Sequence, residues 1–426
     1  MNIKKNCDRD FFVNLHAPYD LAYIAVGECE YTFDIGGRLL WLKKDEKRIE
    51  RSLSNKFVMK WELGPDSVYR KNKVLDQSEV SALCSAIVSD ISRILNMIQS
   101  NPHCMEQCNI SDKENEVTGF LERILKWDYA KLNSEHNRYQ AVYSPIEIFP
   151  TDIPLPIVVQ ITKGCAYNKC TFCGFYKGRP YTRKSPEEVR THIREIKEFL
   201  GQSILNKRNI FLADANALMI EQRELIQIFD IIREELPFKS SFVNENNFFN
   251  RKLSEKDMVL EDIYSFIDAL HGHKKTKADF IELKKRRLRR VYLGLESGSD
   301  KLLELVKKCN NSEDVLKLTS TIKSAGLEIG IMIMSGLGGD RFYKEHVNET
   351  VKLVNRLDLD GYDSIHLSHL VLDPNASYVN DMKRMGIRKL SIEEEDKQIE
   401  EIAKGFDFKG RSAPMIRGYE IENVRF

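Results

Sequence analysis

The chain has almost no net charge: 65 Lys and Arg stand against 64 Asp and Glu, for +1 at pH 7. No global field therefore points it toward nucleic acid or a membrane surface. The N-terminal stretch Met1-Asn2-Ile3-Lys4-Lys5-Asn6-Cys7-Asp8 lacks the apolar core of a signal peptide. No hydrophobic run approaches the length expected of a membrane-spanning helix. Cysteines are few and odd in number, nine with three clustered, the usage of reduced cytosolic thiols and not of a disulfide framework. These absences together predict a cytoplasmic protein in a reducing compartment. What remains is ordinary globular composition, 42% hydrophobic and 30% charged, enough to bury a core. At 426 residues the length suits about three domains, unless one large α/β barrel absorbs much of it.

The cluster of three is the most informative feature. Cys165, Cys170 and Cys173 sit as C-x4-C-x2-C directly after the strand-like run Ile157–Ile161. A structural zinc site wants four closed ligands, and iron–sulfur clusters are usually held by four cysteines. Here no fourth Cys or His follows nearby; His192 is the next candidate, well into a helix. Three thiolates can hold three irons of a cubane and leave the fourth open to chemistry. The alternative reading is a tight loop whose cysteines hold zinc or nothing.

Around the motif the chain divides into three regions. Residues 1–145 read as an α+β region of unknown role. Tyr23–Val26, Tyr31–Asp34 and Arg38–Leu42 are strand-like. Val80, Leu83, Cys84, Ile87, Ile91, Ile94 and Leu95 recur at helical spacing, and a second helix is predicted from Glu114 to about Asn133. Between those helices, His103, Cys104 and Cys108 form either a loop with buried thiols or a second metal site. A proline-marked linker from Tyr143 to Pro156 leads into residues 146–375, where short apolar strands alternate with helices as in a parallel α/β sheet or barrel. Strands are predicted at Ile157–Ile161, Asn209–Leu212, either Ser241–Val243 or Tyr264–Ile267, Arg290–Leu295, Glu328–Met334 and Ser364–Val371. Ser185-Pro186-Glu187-Glu188 predicts a capped helix start. Residues 376–426 form a polar helical extension ending in Tyr419–Val424, a candidate final strand or cover. The basic run Lys284–Arg290 reads as the C-terminal turn of a helix, favoured by the helix dipole, with an RNA-contacting patch as the other reading.

The segment Gly164-Cys165-Ala166-Tyr167-Asn168-Lys169-Cys170-Thr171-Phe172-Cys173 resembles the radical S-adenosylmethionine (SAM) superfamily. The usual family spacing is C-x3-C-x2-C, so this chain resembles a branch with a longer first gap, and Phe172 matches the family's aromatic before the last cysteine. The resemblance covers about residues 155–375 and implies a partial (β/α)6 barrel of TIM type. It implies a [4Fe–4S] cluster whose open iron is chelated by the amino and carboxylate groups of SAM, and reductive cleavage giving a 5′-deoxyadenosyl radical that abstracts hydrogen from a substrate. Asp214-Ala215-Asn216 stands where the family often has Gly-Gly-Glu, so Asp214 and Asn216 are candidate SAM contacts, or else a simple Asx turn. Gly294-Leu295-Glu296-Ser297-Gly298-Ser299-Asp300 resembles a family segment in which Glu296 and Ser297 would meet ribose or the methionine ammonium, while Ser299 and Asp300 would cap the next helix. Gly336, in a glycine-rich loop, would form a cofactor wall. His346 and Thr350 read as packing residues, and Cys309 is a candidate radical quencher by type alone. A low-potential electron donor, flavodoxin or ferredoxin, is the implied partner. No cobalamin signature stands in the N-terminal region. RNA-modifying and peptide-modifying enzymes, and a non-catalytic iron–sulfur or zinc protein, remain alternatives.

Overall fold

The computed structural model describes residues 11–17, 21–62, 70–100, 114–238, 260–374 and 376–419. The His103–Cys108 cluster, Cys7, the strand alternative at Ser241–Val243 and the stretch beyond Tyr419 lie outside them.

The N-terminal region is an antiparallel meander. Strands β1 (Phe11–Ala17), β2 (Leu21–Val26), β3 (Cys29–Phe33), β4 (Leu39–Lys44), β5 (Lys47–Arg51), β6 (Phe57–Glu62) and β7 (Arg70–Val74) pair in sequence order. Two-residue turns join β2 to β3 and β4 to β5, where Val26 pairs with Cys29 and Lys44 with Lys47. Their first residues, Gly27 at φ 54° and Asp45 at φ 53°, take the left-handed backbone such turns need.

Over this sheet lies the helix Gln77–Ser100, 24 residues long and apolar enough, by length and composition, to cross a membrane. Its stripe of Val80, Cys84, Ile87, Ile91, Ile94 and Ile98 is buried against Ile24, Tyr31, Phe33 and Leu42 of the meander, which is the work of a core helix. The expectation that no segment reaches spanning length is corrected on that count. The second helix, expected as one, is two: Glu114–Leu125 and Tyr129–Val142. The break falls at Asp128, whose side chain accepts from the Lys131 amide at 2.8 Å and starts a new helix.

The second half is a seven-stranded, wholly parallel sheet in the order β16-β15-β14-β13-β12-β11-β8. Its strands are β8 (Pro156–Gln160), β11 (Asn209–Ala213), β12 (Ile263–Phe266), β13 (Leu288–Glu296), β14 (Glu328–Met334), β15 (Ser364–Ser368) and β16 (Met415–Gly418), and β9 (Thr162–Lys163) with β10 (Thr182–Arg183) forms a small antiparallel pair. Helices cover the outer face, among them Pro186–Leu200, which starts on the expected Ser185–Glu188 capping box. The third strand is Ile263–Phe266. A seventh strand, Met415–Gly418, adds in parallel to β15, one more than the six expected and just ahead of the stretch proposed for it. This α/β architecture is a partial barrel, its two edges β8 and β16.

The concave face carries an aromatic layer. Phe211, Phe266, Tyr292 and His366 follow one another across the sheet at ring separations of 5.5, 5.6 and 5.8 Å. Gly330 is glycine because the Tyr292 ring crosses it: a Cβ there would meet Tyr292 Cδ1 at 2.2 Å. The proline-marked segment, which the sequence presents as a linker, packs against this layer. Phe149 sits edge-on to Phe211 at 5.1 Å and its amide donates to the Tyr419 hydroxyl at 3.2 Å. Asp152 accepts from Arg290 at 2.6 Å and from the Tyr292 hydroxyl at 2.8 Å. Phe149 and Asp152 of this segment thus reach into the barrel's interior.

The basic run after the helix Lys277–Lys285 is occupied by ion pairs. Arg286 meets Asp230 and Glu282 at 2.9 and 2.8 Å, Arg289 meets Glu328 and Asp262 at 2.8 and 3.0 Å, and Arg290 meets Asp152 and Glu328 at 2.6 and 2.8 Å.

Arg38, in the turn before β4, joins the two halves. Its guanidinium donates to the carbonyls of Leu200 and Phe199 at 2.8 and 3.1 Å and pairs with Glu135 at 3.1 Å, beneath the Trp127 ring. A buried cation at the C-terminal end of Pro186–Leu200 satisfies its last carbonyls and the helix dipole together.

Candidate active site

Functional groups of parallel barrels collect where the strands end, and here six strand ends converge on one pocket of about 150 Å³. Cys165, Cys170, Phe172 and Cys173 follow β8; Asn216 follows β11; Asp268 follows β12. Glu296 ends β13, Met334 ends β14 and Ser368 ends β15. Ile148 of the filling segment, Lys308, Cys309 and Tyr419 complete the wall.

The cysteine loop is tied at both flanks. The β9–β10 pair closes its ends. Within it, the Asn168 amide points at Cys165 Sγ from 3.4 Å, and Asn168 Nδ2 donates to the Tyr176 carbonyl at 2.8 Å. The Tyr167 hydroxyl donates to the Lys307 carbonyl at 2.8 Å, and the Thr171 amide to the Val306 carbonyl at 2.9 Å. All three thiols are free and half-buried. Burial pushes the Cys170 thiol up to about 11 and raises Cys173 as well, against the opposing charge of Lys308. The thiols share one pocket, yet among the described residues no three His, Cys, Asp or Glu side chains close on a single point. A single zinc ion would need thiolates about 2.3 Å from one centre. Three cysteines are the donor set for three irons of a cluster.

Glu296 is placed by local geometry. A register shift between Gly294 and Glu296 interrupts the pairing with β14, and Glu296 takes φ 61°. Its carboxylate accepts from Lys308 Nζ at 2.8 Å, with both side chains 12% exposed. Burial would lower the Lys308 ammonium, but Glu296 and Cys170 outweigh it and hold it above its ordinary value. Beside them, Asn216 donates to Asp268 and accepts from the Asp268 amide at 3.0 Å, while Asp268 meets His271 Nδ1 at 2.7 Å.

Three residues singled out in the sequence stand off the pocket wall. Asp214 is buried behind it, accepting from the Tyr176 hydroxyl at 2.9 Å and the Gly164 amide at 3.3 Å. Burial raises its carboxyl to about 6. The Ser297 hydroxyl turns to His346 Nδ1 at 2.7 Å, fastening the helix Tyr343–Val354 to the strand end, while Thr350 takes the Gly298 amide at 2.9 Å. Gly336 donates its amide to Gln398 at 2.8 Å, and a Cβ there would meet Glu395 Oε1 at 2.6 Å. Each is drawn away by a buried polar partner that would otherwise go unsatisfied. Phe172, Asn216 and Glu296 do line the pocket. Lys308, Asp268 and Tyr419 were not singled out in the sequence. Asp268 had a signal, an acid just past a strand, obscured by the choice between two strand positions.

The open parallel barrel thus gathers three cysteines and a carboxylate–ammonium pair at its strand ends. The family model described as the radical SAM superfamily matches residues 159–354. Over that segment the chain is similar to the superfamily, whose enzymes bind a [4Fe–4S] cluster and SAM. Solved structures similar to the chain include HydG, a maturase of the [FeFe]-hydrogenase, at TM-score 0.41 and 14% identity over 77% of this chain and 66% of that one. Another is methylornithine synthase (PylB), at TM-score 0.39 and 12% identity over 62% and 64%. A third is coproporphyrinogen III oxidase (HemN) from Escherichia coli, at TM-score 0.39 and 14% identity over 67% and 66%. The chain thus spans just under two thirds of each structure's length. No curated protein matches it.

Proposed function

We propose that this protein is a radical SAM enzyme that holds its cluster on Cys165, Cys170 and Cys173 and binds SAM in the same pocket. The carrying observation is that these cysteines, Asn216 and Glu296 line one cavity inside the segment matched by the family model. The bound cofactors supply reductive sulfonium cleavage and a 5′-deoxyadenosyl radical for hydrogen abstraction from a substrate. The chain's own residues bind and orient. Glu296, held by Lys308, offers a carboxylate to the hydroxyl or ammonium groups of SAM. Asn216, fixed through Asp268, offers its amide, and Phe172 is an apolar wall. Ser297, Gly336 and Asp214 act as positioning residues, holding the strand ends that carry those contacts. Flavodoxin or ferredoxin would supply electrons, in a reducing cytoplasmic compartment.

The test is anaerobic reconstitution with iron and sulfide, then SAM and dithionite, assaying 5′-deoxyadenosine. Production that vanishes in Cys173→Ala is the expected result. A full cluster that neither binds nor cleaves SAM would indicate a non-catalytic cluster protein, and zinc in place of iron would overturn the assignment.

A further inference from the structure

We propose that the cavity between the meander and the far end of the barrel is a second binding site, for a small organic anion with an apolar body. It encloses about 470 Å³, within the range of about 300–1,000 Å³ common to small-molecule sites. Pro156 and Lys207, which precede β8 and β11, line it, so it lies at the opposite end of those strands from the cysteines. The meander contributes Trp41 and Arg51, and β16 contributes Arg417.

Charge decides what this cavity takes. Its two carboxylates are already neutralised: Glu50 pairs with Lys60 at 2.6 Å and Arg48 at 2.9 Å, and Asp152 with Arg290 at 2.6 Å. Its three cations make no ion-pair contact among the described residues, although Asp34 stands near Lys207 and Arg51. The buried Arg51 guanidinium donates only to the carbonyls of Leu39 and Ser52, at 2.7 and 3.4 Å. Arg417 Nε reaches only the Met415 sulfur, at 2.5 Å. The Lys207 ammonium has no hydrogen-bond or ion-pair partner among the described residues. Burial lowers Lys207 to about 8 and Arg51 to about 10, only partly opposed by the charge of the buried Asp34 nearby, so both cations are held from water with no carboxylate hydrogen-bonded to them among the described residues. An acid group between Lys207, Arg51 and Arg417 would relieve that. Trp41, Leu53, Phe149 and Ile153 would receive the apolar body.

Calorimetry on the reconstituted full-length protein tests this with three probes of one shape: 2-naphthyl phosphate, naphthalene-2-carboxylate and neutral 2-naphthol. At least one acid should bind with one-site stoichiometry, at least tenfold tighter than 2-naphthol; the tighter of the two identifies the head group. Lys207→Met should weaken that acid about tenfold, as loss of a charge-assisted hydrogen bond does, and Lys207→Arg should restore it. Arg417→Gln, on an exposed edge where folding is safe, should weaken it in the same direction. Absence of one-site binding by either acid, equal binding of 2-naphthol, or unchanged affinity in both Lys207→Met and Arg417→Gln would overturn the proposal.

Discussion

Replacing Asp152 by asparagine removes one negative charge from the barrel interior and leaves the side chain's shape. The Asp152 side chain is 1% exposed and faces Arg290 at 2.6 Å, the Tyr292 hydroxyl at 2.8 Å and His366 at 3.5 Å. Burial alone would raise its pKa, but His366, Arg290 and Tyr292 hold it well below the usual carboxylate range. Its stabilising contribution is therefore present above pH about 4 and lost as pH falls toward the lowered value. Breaking a buried pair by removing one partner costs about 3–5 kcal/mol. Arg290 keeps Glu328 at 2.8 Å, which argues for the lower end, about 3 kcal/mol. With a urea slope of about 3 kcal/mol/M, the midpoint should fall by about 1 M at pH 7. A double-mutant cycle with Tyr292→Phe should show coupling of about 0.5–3 kcal/mol. Were residues 144–155 a surface linker, Asp152→Asn would cost no more than about 0.5 kcal/mol, and that result would refute the interior placement.

Other expectations follow from the same geometry. Glu296→Gln should leave cluster content unchanged while weakening SAM binding by roughly ten- to hundredfold, the loss expected for hydrogen bonds to a charged group, measured by equilibrium dialysis with the reconstituted protein. Arg38→Met should cost about 3 kcal/mol in urea unfolding, because Glu135 keeps Arg138 but the Leu200 and Phe199 carbonyls lose their donor; no change would refute its capping role. Asp214 titrates at about 6 when folded and near 3.9 unfolded. The folded state binds the extra proton between those values, so stability should fall as pH rises from about 4 to 6, by about 3 kcal/mol. Asp214→Asn should lack that component, as compared by urea titrations at each pH, and identical slopes would refute it.

The legible parts of this chain were those whose chemistry or burial is written locally. Three cysteines in one loop pointed to a shared site because they are neighbours in the chain, and they do line one pocket. Strands such as Ile329–Met334, buried on both faces, read as continuous apolar runs. The meander was only half visible because its strands β5 and β6 bury Glu50, Arg51 and Lys60, charges that read as solvent-facing until their partners are known. Lys308 was illegible for a similar reason: it reaches Glu296 from beyond the short helix Asp300–Leu305, and no spacing rule links them. Ser297 and Gly336 lie in segments read as cofactor contacts, yet their polar groups answer to His346 and Gln398 on the covering helices. Prolines around Asp152 suggested a connector, whereas its partners Arg290 and His366 lie far along the chain.

That interior segment bears on how such a protein can be divided. A boundary drawn at residue 145 looks like a clean seam, but the chain just beyond it supplies Ile148 to the cysteine pocket and Asp152 to the middle of the sheet. Arg38, from the other side, closes a barrel helix. The two halves are interlocked and not modular: a barrel cut free before Pro156 would be hollow, and a meander transplanted without its companion would carry away a buried arginine and leave its carbonyl acceptors behind. Shuffling such a module between relatives would have to move the filling segment with the barrel and the arginine's acceptors with the meander.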